Sequence, residues 1–228
     1  MPLGTPRLHL ASTDSTSVRA KALAPGAPHG LLVTAGAQTA GHGRQGRSWT
    51  TPPGEALLMS LVLHEWTELL PLAAAVAVAD TAGDGAQIKW PNDVLVDGRK
   101  VAGILVEARP QEGWAVVGIG VNVAVAEFPV QLRDIAGSLG RPASAVEPFL
   151  AELLGALERR LSAPAGDVLG AWRERDALLG RPVRWRDGEG TGDGVDERGR
   201  LVVALPEGRR VALDAGEVHL GTGGGPAA

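Results

Sequence analysis

The chain has 228 residues, 44% of them hydrophobic and 21% charged, with a net charge of −4 and a pI near 5.8. That balance suits a soluble globular domain plus a small appendage, and it argues against a protein built chiefly to neutralise nucleic-acid phosphates. Cysteine is absent, which excludes disulfides, thiolate metal sites and cysteine nucleophiles.

The N-terminus lacks the basic-then-apolar pattern of a signal peptide. No apolar run approaches the roughly 18 residues of a membrane span. The longest, residues 69–79, contains Pro71 and stops at Asp80. The expectation is a cytoplasmic protein with no membrane partner.

In chain order, Asp14 or Ser15 can cap a helix running toward Leu23. Residues 31–34, 57–63, 87–90, 101–107 and 115–123 are apolar, partly β-branched and bounded by turn residues, so they read as strands of a sheet buried on one or both faces. Residues 69–81 are Ala-rich and helical, ending at Gly83-Asp84-Gly85. Pro148 fits the first turn of a helix through Leu161, with Leu150, Leu153, Leu154 and Leu157 on one face. Residues 168–179 read as another helix, closed by Gly180. Helices and strands mix without strict alternation, so the class is α+β.

After Arg181-Pro182 the texture changes. Residues 183–186, 190–195, 201–205 and 209–213 are short, evenly spaced strands with Asp-Gly, Arg-Gly and Glu-Gly turns, as in a small β-barrel of about 40 residues packed on the main domain. The expected division is a domain over 1–179, a C-terminal domain over 180–220 and a disordered tail over 221–228.

Four segments carry chemistry. In the stretch from Gln38 to Trp49, Gly41, Gly43 and Gly46 let the backbone approach an anion, while Arg44 and Arg47 supply forked donors for phosphate oxygens. It is not a Walker loop, because no Gly-Lys-Ser/Thr follows. A solvated turn is the bland alternative. Lys89-Trp90-Pro91-Asn92-Asp93 is a strand-to-turn corner that gathers Lys89, Asn92 and Asp93. Lys100 opens the next strand, which continues through Gly103, Ile104 and Glu107. In Gly118-Ile119-Gly120-Val121-Asn122 the small residues admit a ligand against the backbone, and Asn122 is either a packing tie or a ligand contact.

Together and in this order, the four segments closely resemble the catalytic domain of biotin–protein ligases. That family shows Gly-Arg-Gly-Arg-x-Gly-Arg-x-Trp, Lys-Trp-Pro-Asn-Asp, Lys-x-x-Gly-Ile-Leu-x-Glu and Gly-x-Gly-x-Asn. The resemblance runs from Asp14 through the C-terminal barrel. It implies a class II synthetase-like mixed sheet with an SH3-like C-terminal domain that helps hold ATP or the carrier. Ser15, Thr16, Gln38, Gly41, Trp49, Gly103 and Ile104 then align with biotin contacts. A serine and a glutamine suit a ureido group, which has one acceptor and two N–H donors. Gly43, Arg44, Arg47, Lys89, Asn92 and Asn122 align with nucleotide contacts. Lys100, Arg44 and Asp93 align with the catalytic set, and Asp93 with a metal contact. Two residues depart from the pattern: Ser17 stands for the usual Asn, and His42 for the usual Arg.

The implied reaction joins the biotin carboxylate to the α-phosphorus of ATP, releasing pyrophosphate, with Lys100, Arg44 and Mg²⁺ screening the two anions. A lysine of a biotin carboxyl carrier protein domain then takes the biotinyl group. Family members often dimerise through sheet edges, so a homodimer is a possible partner state. Three other readings compete. One is a lipoate or octanoate transferase of the same fold. Another is a biotin-sensing repressor, disfavoured because no helix-turn-helix fits ahead of Ser15, so no DNA partner is expected. The last is an inactive biotin-binding module, against which the retained Lys100, Arg44 and Asp93 speak.

Overall fold

The computed structural model describes residues 2–214 and 218–220. Seven strands form one mixed sheet: β1 (Arg7–Leu10), β2 (Leu32–Ala35), β3 (Ala56–Leu63), β4 (Gln87–Lys89), β5 (Asp93–Val96), β6 (Arg99–Arg109) and β7 (Trp114–Asn122). Their spatial order is β1-β2-β3-β7-β6-β5-β4. Only the β1–β2 pair is parallel; the remaining neighbours are antiparallel.

Helix α1 (Thr16–Leu23) lies on one face of this sheet, and α2 (Leu70–Ala82), α3 (Val146–Leu161) and α4 (Ala165–Arg173) lie on the other. Period-two alternation divides the side chains accordingly. Leu57, Met59, Leu61 and Leu63 of β3 and Ala115, Val117, Ile119 and Val121 of β7 join the main core with α2 and α3. Val62, Trp114 and Val116 point the other way and pack under Ala20 and Ala24. Helix α2 is apolar on nearly all sides because it is sandwiched between the sheet and α3. Helix α3 buries Phe149, Leu150, Leu153, Ala156 and Leu157 as one stripe.

A second, antiparallel sheet holds β8 (Pro182–Trp185), β9 (Gly188–Val195), β10 (Leu201–Ala204), β11 (Arg210–Leu213) and β12 (His219–Leu220), in the order β11-β10-β9-β8-β12. Among the described residues its two edges are unpaired, so the sheet is SH3-like but not a closed barrel. Val183, Val195, Leu201 and Val203 belong to the main core. Two polar ties add to that seam: Trp90 Nε1 donates to the Gly199 carbonyl at 3.1 Å, and the Arg173 guanidinium to the Val195 carbonyl at 2.9 Å. The 221–228 tail lies outside the described residues.

Three details differ from expectation. Strands β1, β5 and β12 carry no signal strong enough to be read as strands; each is two to four residues long and held by its neighbours. Ser15 occupies the N-cap of α1 with extended backbone, but its hydroxyl makes no capping bond. The last helix ends at Arg173 rather than running to Leu179. There the Ile88 N–H donates to the Arg175 carbonyl at 2.7 Å and the Ala177 N–H to the Ile88 carbonyl at 2.9 Å, so residues 175–177 leave the helix to extend the β4 edge. Tertiary pairing overrides local helix propensity.

That edge carries a buried acid. Burial pushes the Asp176 carboxyl up to about 6, against the pull of two main-chain N–H bonds, and its Oδ2 has no hydrogen-bond partner. A carboxyl whose folded pKa lies above its unfolded value costs stability as pH rises through the interval between the two. Asp176→Asn is therefore expected to stabilise the protein at pH 7.5 by about 1–2 kcal/mol after allowance for partial exposure, and to bring no gain near pH 4. Urea titrations of both proteins at the two pH values check this; an equal effect at both would contradict it.

Candidate active site

The cleft-facing side of β3, β6 and β7 places three glycines beside Leu58 and Leu105. Gly103, Gly118 and Gly120 leave a trough along the sheet, and the chain folds over it to enclose a cleft of about 780 Å³. The roof is the segment after β2. Gly41 and Trp49 are joined by a main-chain bond of 2.8 Å, and Gly43 and Arg47 by one of 2.7 Å, around a single turn at Arg44–Gly46. Trp49 lies across the trough. A Cβ at Gly120 would come within 2.6 Å of its indole, so the ring can sit there only over a glycine, and one at Gly103 would crowd it at 3.2 Å.

Lys100 lies at the mouth. Its ammonium is 2.6 Å from Asp93 Oδ1 and 5.5 Å from the centroid of the Trp49 ring, a cation held between a carboxylate and a π face. Asp93 Oδ1 is buried and lacks a well-angled hydrogen bond, so the Lys100 charge is what compensates it. Lys100 is fixed from behind by main-chain bonds to Ile135 and Gly137, each 2.8 Å. Asn92 is a clamp: its side chain donates to the Ile104 carbonyl at 3.0 Å, its own carbonyl accepts from Ile104 N–H at 2.9 Å, and its Oδ1 faces Arg44 at 3.4 Å. Asn122 is buried and donates to the Gly137 carbonyl at 2.8 Å.

At the inner end, Gln38 Oε1 accepts from both the main-chain N–H of Thr16, at 2.7 Å, and its hydroxyl, at 3.1 Å. Ser15, Thr16 and Ser17 are all buried there.

The structure thus brings Ser15, Thr16, Gln38, Gly43, Arg44, Arg47, Trp49, Lys89, Asn92, Asp93, Lys100, Gly103, Ile104 and Asn122 to one cleft. Two placements deserve correction of the simplest picture. Gly41 is not on the lining; it is small because a Cβ there would strike the Trp49 carbonyl and come within 2.6 Å of Gln38 Nε2. The Ile104 side chain belongs to the main core, so what Ile104 offers the cleft is backbone. Sequence reasoning missed the wall formed by Phe128, Leu132 and Ile135, and His219 and Leu220 from the C-terminal sheet. It also missed Ser60 in β3, which is buried outside the lining and bonded to Thr16. Only Ser60, the one polar residue in an apolar strand, left any trace.

Comparison with known proteins agrees with this geometry. Residues 10–123 match the Biotin/lipoate A/B protein ligase family, and residues 178–221 match the Biotin protein ligase C terminal domain. The chain belongs to the biotin/lipoate A/B protein ligase family. It is 37% identical to a biotin–[acetyl-CoA-carboxylase] ligase of Paracoccus denitrificans, over 93% of this chain and 99% of that one. A protein of the same name from Mycobacterium tuberculosis is 34% identical, over 92% and 88%. Among solved structures, the biotin protein ligase of Aquifex aeolicus in complex with biotin and ATP superposes with a TM-score of 0.84 at 26% identity, covering 95% of this chain and all of that one. Within this ligase family, the cleft over β3, β6 and β7 is the candidate active site.

Because Gly41 keeps the roof seated, Gly41→Ala should unseat it. Trypsin should then cut after Arg44 and Arg47 at least about tenfold faster, the effect of about 1.4 kcal/mol on a local opening equilibrium. An unchanged cleavage pattern would remove the close approach as an explanation for this glycine.

Proposed function

We propose that this chain is an ATP-dependent biotin–protein ligase that makes biotinyl-5′-AMP in the cleft and passes the biotinyl group to a lysine of the biotin carboxyl carrier protein domain of acetyl-CoA carboxylase. The observation that carries the reading is Lys100, an ammonium held between Asp93 and Trp49 where an acyl trough opens toward the arginine-bearing roof.

The roles follow from placement. Gln38, Thr16 and Ser15 hold the polar head of biotin at the inner end, with Gly41 seating the roof around them. Trp49, Gly103 and the backbone of Ile104 flank its chain. Lys100 meets the carboxylate where it attacks the α-phosphorus, and Arg44 offsets the charge of the same phosphate. Gly43, Arg47, Lys89, Asn92 and Asn122 surround the nucleotide. The carboxylate–phosphorus bond forms as the bond to pyrophosphate breaks; a carrier lysine amine then forms the amide and AMP leaves. No protein nucleophile is needed.

Magnesium enters with ATP as part of the substrate. Among the described residues no three His, Asp or Glu side chains converge on a metal position; Asp93, on the cleft lining, would offer it a carboxylate oxygen, and the ion would offset phosphate charge.

The proposal also takes 1–179 as the catalytic domain and 180–220 as an adjunct that closes the cleft with His219 and Leu220. It takes the cytoplasm as the place of work, since ATP and the carboxylase are there; no helix is long and apolar enough to cross a membrane. No DNA partner is part of it. The β1 edge is the place where a homodimer would add strand to strand.

Lys100→Ala is expected to raise the adenylation barrier by at least about 2–4 kcal/mol, the scale of one preorganised charge contact. Near-normal pyrophosphate release by this variant would end the assignment of Lys100. Arg44→Gly is expected to loosen the roof and release biotinyl-AMP, visible in a chase with unlabelled biotin. With the carrier domain added, the unsubstituted protein should increase that domain's mass by one biotinyl group on one lysine; no transfer would refute the second half-reaction.

A further inference from the structure

Ser60 lies in the middle of β3, fully buried, in an otherwise apolar strand. A hydroxyl in such a place is retained at a cost unless it is bonded, and this one is bonded twice. Ser60 Oγ donates to Thr16 Oγ1 at 2.9 Å and lies 3.0 Å from Ser17 Oγ. Thr16 in turn meets Gln38 Oε1 through both its N–H and its hydroxyl.

The proton count fixes the direction of this chain. A main-chain N–H only donates, so the Gln38 atom facing Thr16 is its oxygen. Each hydroxyl has one proton. The Thr16 proton goes to Gln38, the Ser60 proton goes to Thr16, and Ser17 must therefore donate to Ser60. All protons run one way, from Ser17 through Ser60 and Thr16 to Gln38. With Oε1 filled by two donors, Gln38 has only its Nε2 hydrogens left to offer a ligand.

We infer that Ser60 is a positioning residue: by holding the Thr16 hydroxyl on Gln38 Oε1 it reinforces the hold of the Thr16 N–H, keeps the inner end of the cleft donor-presenting, and so favours a ligand whose polar head carries a carbonyl oxygen. The inference rests on the proposed biotin reading, in which that head is a ureido group. A dithiolane ring has no such acceptor, and a cyclic guanidine presents N–H where the ureido group presents oxygen.

The test compares dissociation constants for biotin and 2-iminobiotin in the unsubstituted protein, Ser60→Ala and Ser17→Ala. Ser60→Ala is expected to weaken biotin about tenfold, the worth of one neutral hydrogen bond, and to narrow the preference for biotin over 2-iminobiotin by a similar factor. Ser17→Ala leaves Ser60 donating to Thr16, so the preference should stay within about twofold of the original. Equal weakening of both ligands by Ser60→Ala, or an equal change of preference in both variants, would mean that Ser60 only fills space and would overturn the inference. If Ser60→Ala does not fold, Ser60→Cys keeps a weaker donor and should give an intermediate preference; an unchanged preference overturns the inference as well. Failure of the unsubstituted protein to bind biotin is seen before any variant is made, counts against the proposed function itself, and takes this inference with it.

Discussion

Side chains of β3, β6 and β7 alternate between two faces, and the faces differ in size as well as in polarity. Toward α2 and α3 they are Leu, Met, Ile and Val, which must be buried and which fix the sheet against the helices. On the opposite face Gly103, Gly118 and Gly120 leave room for the cleft beside Leu58 and Leu105. One register shift in any of these strands would put bulk into the trough and polar groups into the core. The antiparallel pairing of β3 with β7 and of β7 with β6, which run for most of their lengths, is what forbids that shift.

Function is laid over this trough in a graded sequence of chemistry. The inner end is neutral and hydrogen-bonding, through Thr16 and Gln38; the middle is apolar under Trp49; the mouth is charged, with Lys100, Asp93 and the arginines of the roof. A ligand with a polar head, an aliphatic chain and a terminal carboxylate matches that order end to end. The Asp93–Lys100 pair has a further consequence. Lys100 must exchange part of its contact with Asp93 for the incoming anions, so the ammonium is kept ordered before substrate arrives and is not left to sample solvent. Trp90 links this mouth to the second sheet, because its indole N–H bonds to Gly199 while its neighbours Lys89 and Asn92 line the cleft.

Much of this was legible in the sequence because it is local. Apolar runs gave the long strands, and the Gly/Arg stretch, Lys89–Asp93, Lys100 and the Gly-x-Gly of β7 gave the cleft's cast. What was not legible depends on contacts distant in sequence. The end of α4 is set by Ile88, nearly ninety residues away by the order of the chain, and nothing in residues 174–179 announces it. Ile104 and Gly103 are adjacent letters on opposite faces, and only the pairing register says which one meets the cleft. Ser60 looks like an imperfection in a strand until Thr16 and Ser17 are beside it. His219 and Leu220 form a wall only because the second sheet docks where it does.

The central claim is that this cleft adenylates biotin. The most direct measurement mixes the purified protein with ATP, Mg²⁺ and either biotin or lipoate, follows pyrophosphate release, and identifies the bound acyl-adenylate by mass. The account predicts release that depends on biotin and a retained biotinyl-5′-AMP. Release with lipoate alone, or no release with biotin despite measurable binding, would contradict it.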